Sequence, residues 1–237
     1  MLRGWFPSRL FTAGLSVLLL LLFAFRTLGD VAVAAAPPPA VILDAGHGGP
    51  DGGATGVNGV SEKDLNLAMV LLLAELLRGE GVEVILTRSD DALPITEEQD
   101  GSGHRKRWDV TNRIAFTNLY PDALFVSIHM NMFPVAKYSG LQVWYARTPG
   151  SAALAETVRR RVVADLQPDN ERQCKQADRN IRLLDSAGCV AILIECGFLS
   201  NRAECEKLCS PDYQRELSFS IFCAIMEYVN QRNGAES

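Results

Sequence analysis

A histidine at position 47 and a glutamate at position 62 bracket the segment VILDAGHGGPDGGATGVNGVSE, residues 41–62, whose other side chains are mostly small. An imidazole nitrogen and a carboxylate oxygen are both ligands that zinc accepts, so the two residues are candidates for one metal site. Val41-Ile42-Leu43 reads as a buried strand that stops near glycine, which puts His47 on the rim of a sheet. The glycines that follow, Gly48 among them, let the backbone curl and approach a ligand closely. Ser61 reads as the cap of the next helix, with Asp64 three residues on, and places Glu62 at that helix's first position. Taken alone, the segment is equally an ordinary glycine-rich loop. It is not a phosphate loop, because it lacks the Gly-Lys-Ser/Thr ending.

Two later apolar runs repeat the pattern. Leu124-Phe125-Val126-Ser127-Ile128 ends at His129, and Val190-Ala191-Ile192-Leu193-Ile194 ends at Glu195. Strand ends are where ligand-binding crevices form in open α/β sheets. His129 is therefore the natural third ligand beside His47 and Glu62, a His/His/Glu set that leaves zinc one position for water. Burying the Glu195 carboxylate is costly unless it is paired or used, which makes it the candidate general base. A structural salt bridge is the plain alternative for Glu195. His104, the remaining histidine, lies among charged loop residues and reads as solvated.

The elements that must carry these residues follow a strand–helix–strand order from residue 41, the signature of an α/β fold with helices on both faces of a sheet. Leu65, Leu72, Leu73, Leu76 and Leu77 recur at helical spacing and end at Gly79 and Gly81, so this helix packs on the sheet. Val82–Thr87 reads as the second strand, and residues 91–104 as a surface loop. A helix is expected over 105–118, with Arg107, Asp109 and Arg113 in structural ion pairs on an exposed face. Residues 140–145 read as a strand, 151–166 as an amphipathic helix and 167–180 as a loop. Ser200 and Asn201 read as a cap, and 213–229 as the last helix.

Residues 1–36 carry Arg3 and Arg9 ahead of an apolar stretch from Leu10 to Phe25 and small-residue cleavage candidates near Ala36. They read as a signal peptide or an N-terminal membrane anchor, followed by a proline-rich spacer at 37–40, a catalytic domain over 41–231 and a tail over 232–237. The domain then works outside the cytoplasm, touching a membrane only through that first segment. Removing Arg3, Arg9, Arg26 and Asp30 takes the formal charge from −5 to about −7, which argues against a nucleic-acid partner. Of the six cysteines, Cys189, Cys196 and Cys223 fall in apolar elements and read as core residues. Cys205 and Cys209, four apart on a helix, suit a disulfide poorly, and Cys174 in a loop is the candidate reactive thiol.

The segments DAGHGGPDGGATG, SEKDLNLA, TRSDD, FVSIHMN and ILIECGFLSN, in this order across residues 41–231, resemble the zinc-dependent N-acetylmuramoyl-L-alanine amidases of the type 3 catalytic domain. Within that family the short leader and the SGHRKRWDVTNR and KYSGLQVWY segments are most similar to the germination-specific spore-cortex amidases. The resemblance implies a single three-layer αβα domain with a mixed, mainly parallel sheet of about six strands. It implies one zinc ion on His47, Glu62 and His129, with Glu195 as the catalytic carboxylate, and Gly48 and Asn131 as substrate-binding residues. The implied reaction hydrolyses the amide between the lactyl group of N-acetylmuramic acid and L-alanine of peptidoglycan, in spore-cortex maturation ahead of muramic lactam formation. An accessory exported lipoprotein is a partner some relatives use. Two other functions remain open at this stage, a zinc exopeptidase on free wall peptides and a non-catalytic peptidoglycan-binding module. Met130, Met132, Phe133 and Val190 depart from the family's pattern around the expected substrate groove.

Overall fold

The computed structural model describes residues 38–235; the expected leader and most of the spacer lie outside the described residues. Six strands run β1 Val41–Ala45, β2 Val84–Leu86, β3 Leu124–Asn131, β4 Gln142–Tyr145, β5 Lys175–Gln176 and β6 Val190–Phe198. They form one sheet in the order β2-β1-β3-β6-β4-β5, parallel throughout except for the antiparallel pairing of β4 with β6. Among the described residues, no helix is long and apolar enough to cross a membrane.

Side chains alternate across this sheet, as a period of two requires. Val41, Leu43, Val126, Ile128, Ile192 and Ile194 face a core shared with α1 (Glu62–Gly79), α4 (Ser151–Asp165) and α7 (Pro211–Ala235). Ile42, Phe125, Ala191 and Leu193 face a smaller core, packed by Ile114 and Phe116 of α3 (Arg105–Leu119) and by Leu183 and Leu184 of α5 (Arg182–Asp185). The result is the expected three-layer αβα arrangement with a mainly parallel sheet. By the same alternation Asp44, Ser127, His129 and Glu195 share the face that α3 covers, at or near the ends of the parallel strands.

Several expected boundaries move, each for a local reason. The loop over 91–104 contains a short helix, α2 (Glu97–Gly101), closed by a capping box in which Thr96 Oγ1 accepts from the Gln99 N–H and Gln99 Oε1 accepts from the Thr96 N–H. The second strand is only three residues long, because Val82 is still tied to the end of α1 through its N–H to the Leu77 carbonyl. Residues 175–176 of the expected 167–180 loop pair with β4 as an edge strand. The last helix runs to Ala235, past the expected domain end. Leu72 and Leu76 are only half-buried, on a groove beside Phe219 and Phe222 of α7, whereas Met69, Leu73 and Leu77 form the stripe that packs on the sheet. Each of those three contributes roughly 1.5–3 kcal/mol by burial.

The face of α3 that carries Asp109 and Arg113 is also not solvated as expected. Asp109, Arg113 and Thr117, spaced by four, turn inward toward the sheet. All six cysteines are free. Burial and the Glu156 carboxylate push the Cys174 thiol up to about 12, so the expected reactive thiol is the reverse of one. Cys205 Sγ donates to Asn58 Oδ1 at 3.2 Å and Asn58 Nδ2 donates to Cys209 Sγ at 3.3 Å, a bridge to the glycine-rich loop.

Candidate active site

The glycine-rich loop leaves β1 at Ala45 and must turn sharply to aim His47 back over the strand ends. His47 has φ 63°, and it is the one non-glycine among the described residues in the left-handed region. Arginines clamp the carbonyls beneath it. Arg113 Nη1 donates to the Ala45 carbonyl and Nη2 to the His47 carbonyl, both at 2.8 Å. Arg88 donates from Nε to the Ala45 carbonyl at 2.9 Å and from Nη2 to the Gly46 carbonyl at 3.2 Å. Arg113 is itself held by Asp44, whose other partners are Thr87 Oγ1 at 2.7 Å and Ser127 Oγ at 2.6 Å. Burial opposes the charge on Asp44, yet Arg113 and the two hydroxyls hold its carboxyl below the usual range.

Onto this platform the fold brings three of the sequence candidates. His47 from the loop, Glu62 from the first turn of α1 and His129 from β3 each offer one ligand atom, all within 4.8 Å of one another. Glu62 Oε1 lies 3.3 Å from His47 Nε2 and 3.0 Å from His129 Nδ1. It also accepts from the Met130 N–H at 3.1 Å, while Oε2 accepts from the Ala54 N–H at 2.8 Å. A carboxylate in the first turn of a helix has favourable electrostatics. Burial works against its charge, but both imidazoles hold the Glu62 pKa well below normal. Ser61 sits at the cap position but does not cap; its Oγ donates to the Gly52 carbonyl at 2.8 Å.

Two glycines are needed here because the side chains of His47, Glu62 and His129 occupy the space of a Cβ. A methyl on Gly46 would meet the His129 ring at 2.2 Å, and one on Gly53 would meet Glu62 Oε2 and His47 Cδ2 at 2.6 Å. Gly48, expected to bind substrate, is held within the loop itself. It is buried, its Cα faces the Ala92 carbonyl, and its N–H and C=O both pair with the Asp51 backbone, which shapes the loop. Asn131 is half-buried at the end of β3, two residues beyond His129, and its carbonyl accepts from the Leu199 N–H at 2.8 Å.

Glu195 lies beside His129 in the β3–β6 ladder and beside Gln142 in the β4–β6 ladder. Its Oε2 is shielded from solvent and has no hydrogen-bond partner. Burial raises its pKa to about 7; the Glu62 charge adds to the rise, and the two histidines oppose it. Glu195 thus makes no salt bridge, which was its plain alternative. His104 is exposed, away from this cluster.

Sequence reading missed Asp51, whose Oδ2 lies 3.0 Å from His47 Nδ1 and fixes which ring nitrogen points at Glu62. Burial disfavours the charge on His47, but Glu62 and Asp51 raise its pKa to about 9. Asn66, one turn after Glu62, was also missed; its Nδ2 donates to the Gly46 carbonyl at 3.0 Å. The signals available were slight, namely Asp51 four residues after His47 and Asn66 four after Glu62.

Residues 41–227 match the N-acetylmuramoyl-L-alanine amidase family, Amidase_3. The chain belongs to this family. Its enzymatic activity is accordingly that of an N-acetylmuramoyl-L-alanine amidase on peptidoglycan. The chain is 35% identical to the germination-specific N-acetylmuramoyl-L-alanine amidase of Bacillus subtilis over 194 residues, covering 81% of this amidase and 80% of that one. Among solved structures, the CwlD amidase of Clostridioides difficile in complex with the GerS lipoprotein superposes with a TM-score of 0.76 at 37% identity, over 81% of this chain and 98% of that chain. An N-acetylmuramoyl-L-alanine amidase from Clostridium difficile 630 follows with a TM-score of 0.70 at 29% identity, over 82% and 98% of the two chains.

Proposed function

We propose that this amidase is zinc-dependent, with His47, Glu62 and His129 as the metal ligands and Glu195 as general base. The observation that carries the reading is the convergence of the three donors beside a carboxylate that has one unpartnered, shielded oxygen. The donors fit zinc in kind: two imidazoles and a carboxylate, with Asp51 behind His47 as a metal-ligating histidine needs. Zinc bound there supplies Lewis acidity to the scissile carbonyl and to the attacking water. Glu195 Oε2 takes a proton from that water and delivers it to the departing nitrogen of L-alanine. A base poised near neutrality can do both, and the burial that raises Glu195 provides this. Asp51 keeps Nδ1 of His47 engaged, and the Arg113 and Arg88 clamp holds the loop in its left-handed turn.

The biological setting we infer is the spore cortex, where peptide-free muramic acid precedes the lactam. The likeness to the germination-specific relative supports it. By the same reasoning, an exported lipoprotein like the one bound to the clostridial neighbour is the candidate partner, and residues 1–36 export or anchor the domain. Zinc analysis of the purified protein, with digestion of glycan strands carrying stem peptides, tests the reading. Bound zinc and release of peptides beginning with L-alanine are expected. Release that is insensitive to chelation would reject zinc dependence.

A further inference from the structure

The loop between β3 and β4 follows directly on Asn131 and exposes Met132, Phe133, Val135 and Tyr138. Phe133 packs edge-on against Tyr138 with ring centres 5.1 Å apart, and Tyr138 lies 6.2 Å from Phe198 of β6. The Arg172 guanidinium covers the Phe198 ring at 4.6 Å and the Tyr138 ring at 5.6 Å, and its Nε donates to the Ser139 carbonyl at 2.9 Å. Lys137 Nζ lies 5.7 Å from the Tyr138 ring on the same loop. Asn201 Nδ2 donates to the Tyr138 carbonyl at 3.2 Å and pins the loop to the start of α6 (Arg202–Leu208).

Arg172, Lys207 and Asn201 line a cavity of about 520 Å³. Among the described residues, Arg172, Lys137 and Lys207 form no ion pair, although the chain as a whole carries formal charge −5. Glu204, which also lines the cavity, is already engaged: it accepts from the Gly140 N–H at 2.9 Å and the Phe198 N–H at 2.8 Å. Asp169 and Glu171 stand exposed on the rim and pair with neither cation.

Strand order fixes where this cationic shelf lies. Glu195 has His129 beside it on β3 and Gln142 beside it on β4, and Gly140 lies just before β4. Gly140 lines the cavity, which therefore opens at the same edge of the sheet as the candidate metal ligands, with β4 two strands from the β3 that carries His129. Two spacings of ~4.8 Å make about 10 Å, which an extended peptide crosses in about three residues at ~3.3 Å each.

We propose that Arg172 is the centre of a subsite that binds a free carboxylate of the stem peptide, two or three residues beyond the scissile amide. The inference rests on the muramoyl-L-alanine amidase reading and adds to it the side of the site on which the peptide lies. Stacking on two aromatic rings and the bond to Ser139 order the guanidinium before substrate arrives, and its planar fork matches a carboxylate. Lys137 and Lys207 add attraction for an acidic peptide, and Phe133 and Tyr138 supply an apolar floor between the amide and the carboxylate.

The test compares glycan strands whose stem peptides carry free carboxylates with the same strands after those carboxylates are amidated. Wild-type kcat/KM is expected to favour the free acid by about tenfold or more, through KM, as one charge-assisted contact allows. Arg172→Ala should bring that ratio close to one, and Arg172→Lys should restore part of it, with thermal unfolding checking that both variants fold. Titration of the free acidic peptide into the Glu195→Gln variant reads the same subsite without turnover, and Arg172→Ala in that background should weaken binding about tenfold. A wild type indifferent to amidation, or an Arg172→Ala loss equal on both substrates, would overturn the subsite. Absence of turnover on either substrate, with peptide binding still dependent on Arg172, would instead count against the amidase reading and leave the subsite standing.

Discussion

Two buried carboxylates lie at the same end of the sheet, on β1 and β6 with β3 between them, and they are wired in opposite ways. Around Asp44 every carboxylate oxygen has a donor: Thr87 and Arg113 on one, Ser127 on the other. Glu195 instead has an oxygen with no donor at all. The same burial acts on both carboxyls, yet one ends below its ordinary pKa and the other is raised to about 7. Asp44 and Arg113 use their charge to hold the chain, whereas the role proposed for Glu195 is to move a proton with its unpartnered oxygen. A buried carboxylate with every partner in place is scaffold, and one left short of partners marks chemistry.

The comparison breaks most severely on the scaffold side. Arg113→Met removes the partner of a fully buried Asp44 and should cost about 3–5 kcal/mol in urea unfolding, because the remaining charge is left alone. A loss below 1 kcal/mol would mean that the clamp is not structural. On the other side the sign reverses. The Glu195 pKa is raised above that of the unfolded chain, so the folded state holds a proton that the unfolded state releases between about pH 4.5 and 7. Stability is lost across that window as pH rises and stays lost above it. Glu195→Gln should therefore stabilise the metal-free protein at pH 8, by up to about 3 kcal/mol, and have little effect near pH 4.5. Equal effects at both values would contradict this assignment.

Smaller effects probe the ligand cluster itself. Gly53→Ala places a methyl 2.6 Å from Glu62 Oε2 and His47 Cδ2 at a φ of +67°, so zinc affinity measured by chelator competition should fall about 10- to 100-fold. Metal uptake should also displace a proton from His47, whose pKa of about 9 reflects the Glu62 and Asp51 carboxylates winning over burial. Apparent zinc affinity should then rise by roughly tenfold per pH unit between pH 6 and 8, with about one proton released per ion. Asp51→Asn should flatten that slope.

What could be read from the sequence follows the same division. The apolar runs 41–45, 124–128 and 190–194 announced the central strands, and the three residues the fold brings within 4.8 Å were picked out because each stands at the edge of such a run or helix. The scaffold cluster was legible only in part: the expected Asp109–Arg113 pair forms, at 2.7 Å, but its inward direction and its tie to Asp44 were not foreseen. Arg88 and Arg113 act on backbone carbonyls, which leave no side-chain pattern to find. Charge on α3 suggested a solvated face, whereas the 109/113/117 spacing faces Asp44. The Thr96/Gln99 capping box was present in the sequence but overlooked within an acidic loop. Nothing in the sequence announced that the Ala92 carbonyl stands against Gly48.

The central claim is that Glu195 moves the proton at a site built from His47, Glu62 and His129. The most direct test is hydrolysis of stem-peptide-bearing glycan by wild type and Glu195→Gln, with zinc content measured on the same samples. The account predicts equal zinc in both and a rate reduced about 10³-fold in the variant. Equal zinc with a rate within tenfold of wild type would contradict it.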